Sequence, residues 1–188
     1  MSAQPDPFHD RDLLRDLAHA GAEHARSSLQ ALLGDEISVL EARAWRSPKD
    51  ADALFARGDT SPTRVGRLEI SGPPHGTAWV LVPDSCVQRL IERYGSEDAD
   101  GSMAHSIAAE VANIVTGAYV IEAGNHWGVD LDPSPADLSV CSDTARNDLD
   151  AALLALEHAL AGGCDFGDSE GSYGLSVVVM LDGSGGGW

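Results

Sequence analysis

A chain of 188 residues with 12 Lys and Arg against 30 Asp and Glu carries a formal charge of −18 when its histidines are neutral. Polyanions are held by clustered cations, and one lysine, Lys49, with eleven arginines scattered from Arg11 to Arg146, forms no such cluster; nucleic acid and anionic membrane surfaces are excluded as partners. A hydrophobic content of 43% is enough to build one core and excludes disorder throughout.

In chain order, the termini come first: residues 1–9 are expected to be disordered. From Asp10 to Leu33 the apolar residues Leu13, Leu17, Ala20, Leu29 and Leu32 recur at mostly helical spacing, and Gly34 is a natural stop. Ile37 to Trp45, Arg64 to Ser71 and Thr77 to Val82 read as strands, the last two divided by the turn Gly72-Pro73-Pro74. Asp84 caps a helix over Ser85 to Tyr94 that closes at Gly95, and Ser96 to Gly101 is an acidic linker. A second long helix spans Ser102 to His126, with Ile107, Val111, Ile114, Ala118 and Ile121 predicted to face the core. A bend at Asp132 to Pro135 leads to a short strand, Asp137 to Cys141. A helix over Ala145 to Leu160 follows, ended by Gly162-Gly163, then a buried strand from Gly174 to Leu181 and a flexible Gly-rich tail over 183–188.

Cys86, Cys141 and Cys164 are odd in number and contain no C-x-x-C pair, which points to small core residues in a reducing compartment. No apolar stretch follows a basic N-terminus, and no window reaches the roughly 18 to 20 apolar residues of a membrane span. The expectation is a cytoplasmic protein.

Sliding the chain by 94 residues places Asp16-Leu17-Ala18-His19 on Glu110-Val111-Ala112-Asn113, Asp12 on Ser106 and Gly34 on Gly128. This predicts an α+β, pseudo-twofold single domain over 10–182, built from repeats 10–95 and 102–182 that share one mainly antiparallel sheet. Ser106, Glu110, Asn113 and Gly117 fall at i, i+4, i+7 and i+11, on one helix stripe beside the apolar one. Glu110 and Asn113 are about 60° apart around the axis and ~4.5 Å along it, close enough to act on one substrate atom.

Ser106-x3-Glu110-x2-Asn113, continuing Ile114-Val115-Thr116-Gly117-Ala118-Tyr119, resembles the signature of the CheC/CheX/FliY family of chemotaxis phosphatases. That signature ends in a proline about 22 residues on; Pro135 follows with 21 residues between, and Pro133 is a second candidate. Gly76 to Pro83, before the 85–94 helix, is similar to the family's strand-Pro-helix passage. The resemblance implies a phosphatase for the aspartyl phosphate of a CheY-like response regulator, with Glu110 and Asn113 catalytic and Ser106 and Gly117 as partner contacts. Asn113 would hold a water by accepting from it or donating to it, and Glu110 would pair with the regulator's lysine rather than act as a general base. The protein needs no cofactor of its own and no metal, the Mg²⁺ belonging to the substrate. Asp12, Asp16 and His19 would form a degenerate second site on the first helix. The alternative is a non-catalytic adaptor of the same fold, binding a response regulator, a CheD-like deamidase or the flagellar switch, as monomer or homodimer.

Two other signals carry less. Gly167-Asp168-Ser169-Glu170-Gly171 matches the G-x-S-x-G spacing, but a nucleophile elbow requires a strand before it, a helix after it and a later histidine, and none is expected; the last histidine is His158. The seven histidines show no metal-ligand spacing.

Overall fold

Gly34 ends the first helix as a glycine stop should: its φ is +72°, and its N–H bonds the Gln30 carbonyl at 2.8 Å. The structure, a computed structural model, describes residues 11–34, 36–45, 63–94, 102–140, 151, 159–167 and 174–182. Its elements are α1 (Arg11–Leu33), β1 (Ser38–Trp45), β2 (Thr63–Ser71), β3 (Gly76–Pro83), α2 (Asp84–Tyr94), α3 (Ser102–Trp127), β4 (Asp132–Pro133), β5 (Asp137–Val140), β6 (Ala159–Gly167) and β7 (Leu175–Asp182). The expected termini 1–9 and 183–188, the linker and Cys141 lie outside the described residues.

The strands form one antiparallel sheet in the order β1-β6-β7-β3-β2, with β4 and β5 sharing the outer side of β2. This order is palindromic about the β7–β3 pair. The strand that follows each long helix pairs with the second strand of the other half, β1 with β6 and the interrupted β4 and β5 with β2. A displacement of 94 residues carries Leu33, the end of α1, to Trp127, the end of α3, and Ser38, the start of β1, to Asp132, the start of β4. The architecture is therefore α+β and pseudo-twofold, with two long helices on one shared sheet.

α1, α2 and α3 cover one sheet face, where Leu29, Leu33, Val87, Leu90, Val111 and Val115 join Val80, Val82, Phe166 and Val177 in a continuous core. α1 and α3 approach closely because small residues meet at their contact. Gly21 lies under the Tyr119 ring, and the Tyr119 hydroxyl donates to the Ala18 carbonyl at 3.1 Å.

Three expectations are corrected. Residues 159–160, placed in a helix ending at Gly162-Gly163, belong to β6, where those glycines pair with Val179 and Val178; Ala151 is helical, and 152–158 lie outside the described residues. β6 runs between β1 and β7 and is buried along 163–167, so it shows no alternation to read. Second, the core stripe of α3 is not the isoleucine row. Ala104, Ala108, Val111, Ala112, Val115, Ala118 and Tyr119 are buried, whereas Ile107 and Ile114 are half-buried and Ile121 is 51% exposed. Third, α3 is by length and composition apolar enough to cross a membrane. Half of its most apolar window is buried inside the fold, as befits a core helix.

Candidate functional site

Glu110 is exposed on α3 and has no hydrogen bond or ion pair among the described residues. Asn113, one turn on, is half-buried, and its Oδ1 accepts the Ala136 N–H at 3.0 Å. That bond exists because the edge strand is interrupted. β4 stops at Pro133 and β5 starts at Asp137, so the backbone of 134–136 leaves the ladder. Ser134 pins this bend to β2: its N–H donates to the Glu69 carbonyl at 2.7 Å, and its hydroxyl accepts the Glu69 N–H at 3.0 Å. Pro135, with no N–H of its own, delivers the Ala136 N–H to α3. Pro133 instead pairs with Ile70 in β4, so of the two prolines Pro135 adjoins the site.

An N–H donor can only be met by the amide oxygen, so the bond fixes the orientation of the Asn113 carboxamide. Its Nδ2 amino group has no partner among the described residues. The result is a neutral donor on a short side chain held by backbone, next to a carboxylate with no partner among the described residues.

The Ser106 hydroxyl donates back to the Ser102 carbonyl at 3.0 Å, so it caps its own turn. Gly117 is half-buried, and a Cβ added there would meet nothing within 4 Å. Nothing among the described residues requires a glycine at this point. Ala136 was not singled out from the sequence, because a backbone N–H carries no residue-type signature; the proline bend was its only sign.

On α1, Asp16 is exposed beside Arg15, and His19 is exposed with no partner among the described residues. The Asp12 side chain is outside what is described. Glu23, at the place of Gly117, accepts from Arg26 at 2.8 Å, and Arg26 also donates to Gln30. β1 runs unbroken past this face, with a bulge between Val39 and Glu41, and Ala42, which corresponds to Ala136, is paired with Cys164.

Burial pushes the Cys86 thiol up to about 12, with Arg89 opposing, and raises Cys164 and Tyr119 as well. Such thiols are packing residues, not nucleophiles. At the G-x-S-x-G run, β6 supplies the preceding strand that was not expected, ending at Gly167. Residues 168–173 are outside the described set, β7 begins at Leu175, and no histidine follows His158, so a nucleophile elbow is still incomplete.

No protein-family model and no curated protein matches the sequence. Solved structures do match its shape. FliY from Thermotoga maritima superposes with a TM-score of 0.62 at 12% identity, over 97% of this chain and 92% of that one. CheX in the CheX–CheY–BeF3–Mg²⁺ complex from Borrelia burgdorferi gives 0.58 at 14% identity, over 89% and 99%. The FliM middle domain from Vibrio alginolyticus gives 0.55 at 20% identity, over 88% and 90%. The chain has the CheC/CheX/FliY fold.

Proposed function

We propose that the protein is a cytoplasmic phosphatase that accelerates hydrolysis of the aspartyl phosphate on a CheY-like response regulator. The observation that carries this reading is the Asn113–Ala136 bond, which holds a carboxamide N–H donor beside the exposed Glu110. An acyl phosphate has a good leaving group and a loose transition state, so positioning one water is the largest contribution a protein can make. With its oxygen engaged by Ala136, Asn113 presents Nδ2 to the water oxygen. The water oxygen bonds to phosphorus, the bond from phosphorus to the aspartyl oxygen breaks with its electron pair leaving on the carboxylate, and the water proton passes to phosphate and solvent. Glu110 faces a cation of the partner, because a second anion beside the phosphoryl dianion is otherwise repulsive. Mg²⁺ belongs to the substrate.

The test uses Asn113→Asp, which keeps an acceptor for the Ala136 N–H and removes the donor. Decay of phosphorylated response regulator should slow by about 100-fold relative to wild type, the scale of losing one positioned group. An unchanged decay rate would overturn the reading. The likeness to a FliM middle domain favours a second reading, a non-catalytic adaptor of response regulator, CheD-like deamidase or flagellar switch. Binding of the regulator without acceleration selects it.

A further inference from the structure

We infer that the outward face of α3 is a docking ridge for the phosphorylated receiver, with Met103 and Ile121 as apolar anchors on either side of Glu110 and Gly117 as the point of close approach. The inference rests on the proposed reading for its partner, and on independent observations for its residues. Among the described residues three large hydrophobic side chains are exposed, and two of them, Met103 at 36% and Ile121 at 51%, lie on α3. Both fall within about 20° of Glu110 around the helix, ~10 Å to one side and ~16 Å to the other. Half-buried Ile114 lies between them, one turn from Glu110. This side is turned about 110° around the helix from the middle of the buried row from Ala104 to Ala118, and Met103 and Ile121 are exposed, so the core does not explain their apolarity. Gly117 sits on the same line with open space around its missing Cβ. A glycine inside a helix is destabilising, and one that no described neighbour requires is explained by what approaches from outside.

The partner's chemistry follows from the pattern apolar, acid, apolar. A second copy docked through the same face across a twofold would set Glu110 against its own copy, in a chain already at −18. An anionic membrane is opposed by the same charge. A protein that presents cations around a phosphoryl group, flanked by apolar surface, complements all three parts. The first helix is the internal control. Counting back 94 residues, Ile114 corresponds to Ala20, Gly117 to Glu23 and Ile121 to Ser27, so the matching face that lacks Glu and Asn also lacks the anchors and the gap.

The experiment measures binding of the full chain to the CheY-type receivers of the source organism, charged with beryllofluoride and Mg²⁺, alongside decay of the same receivers when phosphorylated. Ile121→Glu should raise Kd and KM at least about tenfold, the effect of losing a buried interface anchor, while kcat at saturation is retained. Gly117→Ala should raise Tm and yet weaken binding, a pairing that a purely structural glycine does not produce. Leu40→Glu, an equally exposed apolar residue on β1, should change neither. Folded Ile121→Glu that binds like wild type overturns the docking ridge, and if Asn113→Asp still abolishes acceleration, the phosphatase reading survives it. Ile121-dependent binding without acceleration sustains the ridge and removes the phosphatase. Absence of binding to every receiver overturns both.

Discussion

α1 and α3 hold corresponding places on a palindromic sheet, and their inward faces do the same work: small residues, Gly21 and Ala18 against Tyr119, bring the two backbones together. Their outward faces differ in three coordinated ways. The α3 face has Glu110, Asn113 and exposed apolar neighbours; the α1 face has Asp16, His19 and the chain of polar bonds from Glu23 through Arg26 to Gln30. Beside α3 the edge strand is broken into β4 and β5 and lends a backbone N–H; beside α1 the equivalent β1 is continuous. Duplication of a fold thus preserves packing in both copies, while side chains, supporting backbone and surroundings of a site are kept or lost as a group.

The largest expected contrast is catalytic. Asn113→Ala should lower acceleration of receiver dephosphorylation by about 100-fold, and His19→Ala should leave it within about twofold. Equal losses would show that both faces work. The next contrast is in stability, from the same substitution on the two helices. A Cβ at Gly21 meets Tyr119 ring atoms at 2.6 Å, so Gly21→Ala should destabilise by about 1–3 kcal/mol. Gly117→Ala, with nothing within 4 Å, should stabilise by about 0.5–1 kcal/mol. Denaturant melts of the two variants should move in opposite directions.

A third measurement separates the faces from the interior they share. The Cys86 thiol is raised from 9.0 to about 12 by burial, so the folded chain keeps a proton that the unfolded chain releases. The contribution of this thiol is fully present below pH 9 and is lost as pH rises from 9 toward 12, by roughly 1 kcal/mol at pH 10. Cys86→Ala should make that slope shallower, the buried Cys164 and Tyr119 supplying the rest, and leave the contrast between Asn113 and His19 unchanged.

The long helices, the central strands and the Glu110–Asn113 stripe were legible in the sequence because each rests on local periodicity or a local stop such as Gly34. β6 was not, since a strand buried along most of its length has no alternating pattern and its Gly162-Gly163 imitates a helix end. Gly162 lies under α1, with Ala18 at ordinary contact distance, 3.6 Å, from where a Cβ would stand. Ile121 misled for the opposite reason. It continues a helical row of isoleucines, but the close approach of α1 assigns the core to alanines, and only tertiary contact decides which side of an apolar helix turns inward. The Ala136 N–H is a consequence of where a strand breaks, which residue identity alone does not specify.

The smallest expected effect is also the most exacting for the comparison. Asp16→Glu with His19→Asn, placed in the Asn113→Ala background, rebuilds both side chains of the site on α1. If side chains alone made the site, acceleration would return. The structure argues otherwise: Ala42, which corresponds to Ala136, lies inside β1 in register with Cys164, and β1 has no break like the one at 134–136 that brings the Ala136 N–H to Asn113. Ala20, Glu23 and Ser27 also leave the face without anchors. The double substitution should therefore restore no measurable acceleration. Recovery to even a tenth of the wild-type rate would show that the Ala136 bond is dispensable and would overturn the proposal that the α3 face alone is a site.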